Sequence, residues 1–439
     1  MILIFIFILF FTPSIDPDLG WYIRGAGENL TYFLPDYRFE NPYSLYSYLA
    51  GIIWNTLGHL GFALVYALLM VFAFYLVQRI YPRAKTIAPA SLLIALTPLY
   101  SYFILGLRSQ IITFVGLVVC YFLVLTDRSL KKSIVITFLL FAIWANMHGG
   151  FPIGLVVILV SILINRKNIY LLLAGFAGSL INPYGLSLYL WTLKHFTIPL
   201  NTMIAEWTPP NIFIQIVIFC ISFLTFVILI STRHKRRLFW LILLVIFTYL
   251  ALRANRNLAL YNLTVVLIII DLSYNRLQKI GNQPGFPKLA NLLTALLIVI
   301  VGYFSLSRSI PLIFDEKAYC NQIQKYPCEA IKYLKENPLG INNVFAPYEW
   351  GGFLEWKLPE YKYFSDGRMV VWQSPEGESP YLTNLKIMQA KEKYQDILDR
   401  YNTQTLLIPS GSSLDLDIQN SKTLWNEIYR DEVSVIYLK

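Results

Sequence analysis

At 439 residues, with 56% hydrophobic and 14% charged side chains and a mean hydropathy of +0.54, the chain is not a soluble globular protein, which carries roughly a quarter charged residues. Its net charge of +10 does not point to nucleic acid, because the basic residues sit in short turns between apolar runs: Arg79, Arg83 and Lys85; Arg128, Lys131 and Lys132; Arg166 and Lys167; Arg233, Lys235, Arg236 and Arg237; Arg276, Lys279 and Lys288. That distribution is the positive-inside bias of a membrane protein. No nucleic-acid partner is expected.

Apolar runs predict spans near 1–13, 61–78, 88–106, 110–126, 133–147, 151–165, 169–182, 212–231, 238–252, 257–271 and 289–307. The fold class expected is therefore a polytopic α-helical membrane protein of about 11 transmembrane helices, because only helices satisfy the backbone inside lipid. With the N-terminus inside, every basic turn falls on the cytoplasmic side. The opening "MILIFIFILFF" has no basic n-region and no small-x-small cleavage pattern after it, so it reads as a first span rather than a signal peptide. "YSLYSYLAGIIWNTLG" reads as an interfacial helix leading into the second span.

Composition changes near Pro311. Residues 1–310 read as the transmembrane domain with its outer loops, and 311–439 as a small α/β domain placed outside the cytoplasm by helix count. "PCEAIKYLKEN" and "EKYQDILDRYN" predict helices, "TQTLLIPS" and "EVSVIYLK" strands, and "NNVFAPYEWGGFLEWKL" and "YKYFSDGR" strands with turns. The Gly351–Gly352 pair is read as a tight turn and Asp366–Arg368 as a local ion pair. Cys320 and Cys328 are candidates for a disulfide in an oxidising compartment. A metal site there is disfavoured, because no histidine or second cysteine pair accompanies them. Cys120 and Cys220, inside spans, read as small apolar packers.

The turns on the face away from the basic ones are "DPDLGWYIRGAG", "LRSQ", "NMHGG", "NPYG", "EWTPPN" and "LRANRN". They gather Asp16, Asp18, Arg24, Arg108, His148, Asn182, Glu206, Arg253 and Arg256 on one side. Outer-face arginines run against the positive-inside tendency, and ionisable groups at this depth usually serve a site. Guanidinium groups bind phosphate bidentately, so Arg108, Arg253 and Arg256 are candidates to hold a lipid phosphate. Asp16 and Asp18 are candidates for a general base, or for ligands of a divalent cation such as Mg or Mn. His148 and Glu206 are candidates to shape or polarise the site, with Trp21, Tyr22, Arg24 and Asn182 lining it.

These loops, together with "YEWGGFLEWKLPEYKYFSDGR", resemble those of a group of bacterial multi-spanning proteins of the GT-C superfamily. That superfamily includes protein O-mannosyltransferases, aminoarabinose transferases acting on lipid A, and oligosaccharyltransferases. The resemblance implies a polyprenyl-phosphate sugar donor and a catalytic acidic first outer loop, which Asp16 and Asp18 match. Tyr22 departs from the pattern, standing where many relatives carry histidine. The expectation is a glycosyltransferase moving a sugar from a polyprenyl-phosphate carrier to an extracytoplasmic acceptor, in a prokaryotic cytoplasmic membrane. The alternatives are a transporter or flippase of lipid-linked sugars, or a non-catalytic envelope assembly protein of the same fold. Flippases tend to place charge at the bilayer midplane, whereas the charges here lie at span ends.

Overall fold

The computed structural model describes the chain except residues 26–30, 38, 85–86, 100–102, 198–203, 282–285, 323–324, 341–342, 392 and 422–423. For residues 83, 196–197, 275–278, 280–281 and 286–291 it describes the backbone alone. Lys85 of the basic turns, and the side chains of Arg83, Arg276 and Lys288, thus lie outside the described residues. The chain divides into two compact units, Met1–Ser14 with His59–Ile310, and Ile15–Gly58 with Pro311–Lys439. The sequence reading placed 15–58 with the membrane domain, so this partition differs from it at the first loop.

The first unit is helical. Four described helices have the length and composition to cross a membrane: Ser44–Ile80, Ala205–Ser231, Asn255–Tyr274 and Leu292–Phe314. Spanning a hydrocarbon core of about 30 Å takes about 20 apolar residues. The other apolar runs form shorter helices, among them Ser109–Leu125 and Pro152–Ser161, against the eleven spans expected. The protein is a multi-pass membrane protein on this ground. Ser44–Ile80 is two helices joined at Gly58, whose φ of 55° and ψ of −139° interrupt the helix. Only glycine adopts such a pair readily, and the interruption falls where the units divide. Inside the first unit, buried hydroxyls find partners across helices: Tyr121 bonds Thr264 at 2.8 Å, and Tyr66 donates to the Phe103 carbonyl at 2.9 Å.

The second unit is built on a five-stranded sheet of order β2-β1-β3-β5-β4, with β1 Asn343–Phe345, β2 Lys362–Tyr363, β3 Thr405–Pro409, β4 Asn426–Arg430 and β5 Ser434–Leu438. β1 runs parallel to β2 and β3, and β5 antiparallel to β3 and β4. Central β3 and β5 are buried over most of their length, as their unbroken apolar runs require. Residues from the first loop complete this unit. Thr31 bridges Tyr363, Phe33 packs edge-on to Phe364 at 5.0 Å, and Tyr37 stacks on Trp372 at 4.4 Å. Cys320 and Cys328 are bonded to each other, with Cα atoms 6.1 Å apart.

One local expectation is corrected. Tyr348–Lys357 is a helix, not a strand with a turn at Gly351–Gly352. Glycine disfavours a helix interior by about 1 kcal/mol relative to alanine, so local propensity argued against it. Tertiary packing overrides that preference, as shown next. The "SDGR" end of the other expected strand is likewise a 3-10 turn, Gly367–Val371, capped by the Asp366 side chain.

Candidate functional site

The two units each carry part of the predicted residue set. In the second unit, Asp18 stands at the start of a short helix, Leu19–Arg24. The Asp18 backbone N–H donates to Asp16 Oδ1 at 3.3 Å, and Trp21 Nε1 donates to Asp18 Oδ1 at 3.0 Å. Asp16 is buried and Asp18 half-buried. This short helix lies against Tyr348–Lys357 with almost no space between backbones. A Cβ on Gly20 would stand 1.9 Å from the Gly352 carbonyl oxygen, and one on Gly367 would stand 1.9 Å from Asp18 Oδ1. The "WGG…DGR" run therefore seats the "DPDLGW" loop.

Beneath it, buried Arg368 donates to Asp366 at 2.9 and 2.7 Å and to Glu355 at 2.9 and 3.1 Å. Its guanidinium lies 5.7 Å from the centre of the Trp21 ring. Asp366–Arg368 is thus more than a local pair, because Glu355 joins it and all three side chains are buried. Burial holds the Glu355 carboxyl well above the usual carboxylate range, against the lowering pull of Arg368. Tyr22 is buried among Trp21, Tyr43 and Tyr46. Burial, then Tyr43 and the two aspartates, raise its hydroxyl pKa, so it stays neutral. Arg24 is exposed at the end of the short helix.

In the first unit, buried Arg108 precedes the Ser109–Leu125 helix and is ion-paired with Glu206 through Nη1 and Oε1. His148 is placed by a chain of packing. The Trp144 ring sits against Gly116 and Gly154 and donates from Nε1 to Thr113 Oγ1 at 3.2 Å. Thr113 Oγ1 lies 2.6 Å from His148 Nδ1, which also receives the Gly150 N–H at 3.1 Å. An Nδ1 that accepts leaves the ring proton on Nε2, the neutral tautomer. Burial, then Arg256, His195 and Arg108, push the His148 pKa well below its ordinary value, in keeping with that assignment. Arg256 lies over Trp207, 4.3 Å from the ring centre, and His195 stacks near Trp207 with centroids 5.7 Å apart. The "EWTPP" and "LRANRN" loops are tied by Asn255 N–H donating to the Thr208 carbonyl at 3.0 Å.

Arg108, Arg256, His148 and Glu206 thus come together, whereas Arg253 is exposed in the last turn of its helix. Asn182 closes a turn, donating to the Ser179 carbonyl at 2.7 Å and accepting from the Tyr184 N–H at 2.8 Å. Sequence reasoning missed Thr113, His195 and the role of Trp207. Trp207 lies in "EWTPP", and pairing aromatic residues with the arginines of the neighbouring loops would have found it. Among the described residues no group of three or more His, Cys, Asp or Glu gathers to hold a metal. Asp16 and Asp18 could supply only part of a shell, the rest coming from water or a substrate phosphate, a mode open to Mg.

Apolar helices and a small mixed sheet, with Arg108 buried at a helix end, make up the fold of a membrane protein. That fold is similar to those of solved oligosaccharyltransferases. It is similar to the archaeal oligosaccharyltransferase AglB from Archaeoglobus fulgidus, solved with an inhibitory peptide and a dolichol-phosphate, with a TM-score of 0.55 and 14% identity over 90% of this chain and 65% of that one. The same organism's enzyme tethered to an acceptor peptide gives 0.54 and 12% over 91% and 65%, and its apo form 0.53 and 14% over 90% and 66%. The chain therefore spans just under two thirds of these proteins. No protein-family model and no curated relative matches the sequence.

Proposed function

We propose that the protein is a GT-C-type glycosyltransferase that moves a sugar from a polyprenyl-phosphate carrier to an extracytoplasmic acceptor, from a prokaryotic cytoplasmic membrane. The observation that carries this reading is the gathering of Arg108 and Arg256 around neutral His148 at the helix ends. Two guanidinium groups with ordered partners suit a phosphate leaving group. The archaeal neighbour's binding of a dolichol-phosphate supports the donor class.

In the reaction, the acceptor oxygen forms a bond to the anomeric carbon as the bond from that carbon to the carrier phosphate breaks. The acceptor proton passes to the carboxylate of Asp16 or Asp18, and the polyprenyl phosphate leaves with its negative charge. Arg256 and Arg108 stabilise that charge, and Glu206 keeps the Arg108 guanidinium in place. His148 donates from Nε2. A divalent cation, held by Asp16 and Asp18, would supply charge neutralisation. The test is transfer from radiolabelled polyprenyl-phosphate sugar in membranes of a strain lacking the native protein. Loss of a general base costs about 10²–10⁴ in rate, so the Asp16→Asn/Asp18→Asn double variant should insert normally and lose transfer. Wild-type transfer by that variant would refute the proposal.

A further inference from the structure

The Ser109–Leu125 helix carries Arg108 at one end. At its other end, about 25 Å away by the rise of 1.5 Å per residue, lies a cavity of about 550 Å³. Four cations from three separate turns line it: Arg128, Lys167, Lys235 and Arg236. Positive-inside turns need only be basic; they need not converge on a hollow. Asp127 also lines the cavity. Arg236 is anchored, with Nη1 on Asp271 at 3.0 Å and Nη2 donating to the Leu125 carbonyl at 3.1 Å. Its buried Nε has no hydrogen-bond partner among the described residues. Arg128, Lys167 and Lys235 form no ion pair among those residues.

A helix end adds to this field. Leu130–Trp144 begins at the cavity, and Ser129, the residue before it, gives no side-chain cap. Its first N–H groups and positive dipole end favour an anion. The segments that carry the lining residues Ile164, Asn168 and Leu171 also present an apolar flank, with Leu163, Ile169 and Leu173 exposed. A soluble phosphate would gain nothing from that flank, whereas acyl chains would cover it.

We propose that this cavity binds the phosphate of an anionic phospholipid head group, a site separate from the sugar-transfer chemistry. The proposal does not depend on the enzymatic reading. Its test is native mass spectrometry of the purified full chain with added phosphatidylglycerol or phosphatidylcholine. Basic residues near an anionic head group each favour it by roughly fivefold, so wild-type protein should retain one phosphatidylglycerol at least about tenfold better than phosphatidylcholine. An Arg128→Gln/Lys167→Gln/Lys235→Gln variant should lose that preference, while Lys167→Arg alone should keep it and control for folding. Equal retention of both lipids by wild type, or an intact preference in the triple variant, would overturn the proposal. Displacement of the lipid by millimolar inorganic phosphate would also overturn it, assigning the cavity to soluble phosphate.

Discussion

The carboxylates of the first loop, Asp16 and Asp18, are held by backbone packing, whereas the arginines of the membrane unit are held by a partner ion and an aromatic ring. Around Asp18 the constraint is steric: Gly20, Gly352 and Gly367 leave no room for a Cβ, and the Trp21 N–H fixes one carboxylate oxygen. Around Arg108 and Arg256 it is electrostatic, through Glu206 and Trp207. A general base must sit within hydrogen-bond reach of its proton, which rewards a rigid seat. A phosphate clamp must meet a mobile lipid head group, which tolerates side chains that shift.

The contrast can be broken at its strongest point first. Arg368→Met would leave Glu355 and Asp366 as two buried carboxyls without their cation, a change that costs about 3–5 kcal/mol. We expect 311–439 to become sensitive to limited proteolysis, with tryptic sites cut that are protected in the wild type. Gly20→Ala comes next. It forces the short helix off the Gly352 carbonyl, an overpacking cost of about 1–3 kcal/mol. Thermal unfolding should show a lower Tm than for Gly340→Ala, where a Cβ meets nothing within 4 Å. Equal Tm values would mean that the glycine seat is not tight.

On the electrostatic side the effects are smaller. Trp207→Ala removes a cation–π contact worth about 0.5–2 kcal/mol, so donor affinity should fall several-fold with the fold intact. The smallest change is in pH response. His148 is kept neutral in the folded protein, its pKa lowered chiefly by burial, whereas the unfolded chain takes up a proton near pH 6.5. Below that value the unfolded state binds more protons, so stability is present above about pH 6.5 and is lost as pH falls toward the lowered pKa. Tm should drop between pH 7 and pH 5, and His148→Gln should flatten part of that drop. A wild-type slope in the variant would remove His148 as its source.

Much of this was legible in the residues. Apolar runs marked helices, because they rest on local composition, whereas the break at Gly58 became visible only in the backbone. β3 and β5 were legible as unbroken β-branched and leucine runs. Less legible was whatever depended on contacts distant in sequence. "YEWGGFLEWK" looks like a turn by local preference and becomes a helix because Gly20, more than three hundred residues earlier, needs its surface. The Glu355 partner of Arg368 and the Trp207 partner of Arg256 were hidden for the same reason. Arg253 and Arg256 look equivalent in "LRANRN", and only the direction of the chain at the helix end separates the exposed one from the ring-stacked one.

The account's central claim is a division of labour, with proton chemistry at the acidic loop and phosphate holding at the basic cluster. Its most direct test is single-turnover transfer at varied donor concentration for Asp18→Asn and Arg256→Gln in the purified full chain. The account predicts that Asp18→Asn lowers the maximal rate by about 10²-fold or more at nearly unchanged donor affinity, and that Arg256→Gln chiefly weakens donor affinity. Unchanged donor affinity in Arg256→Gln together with a wild-type maximal rate in Asp18→Asn would contradict it.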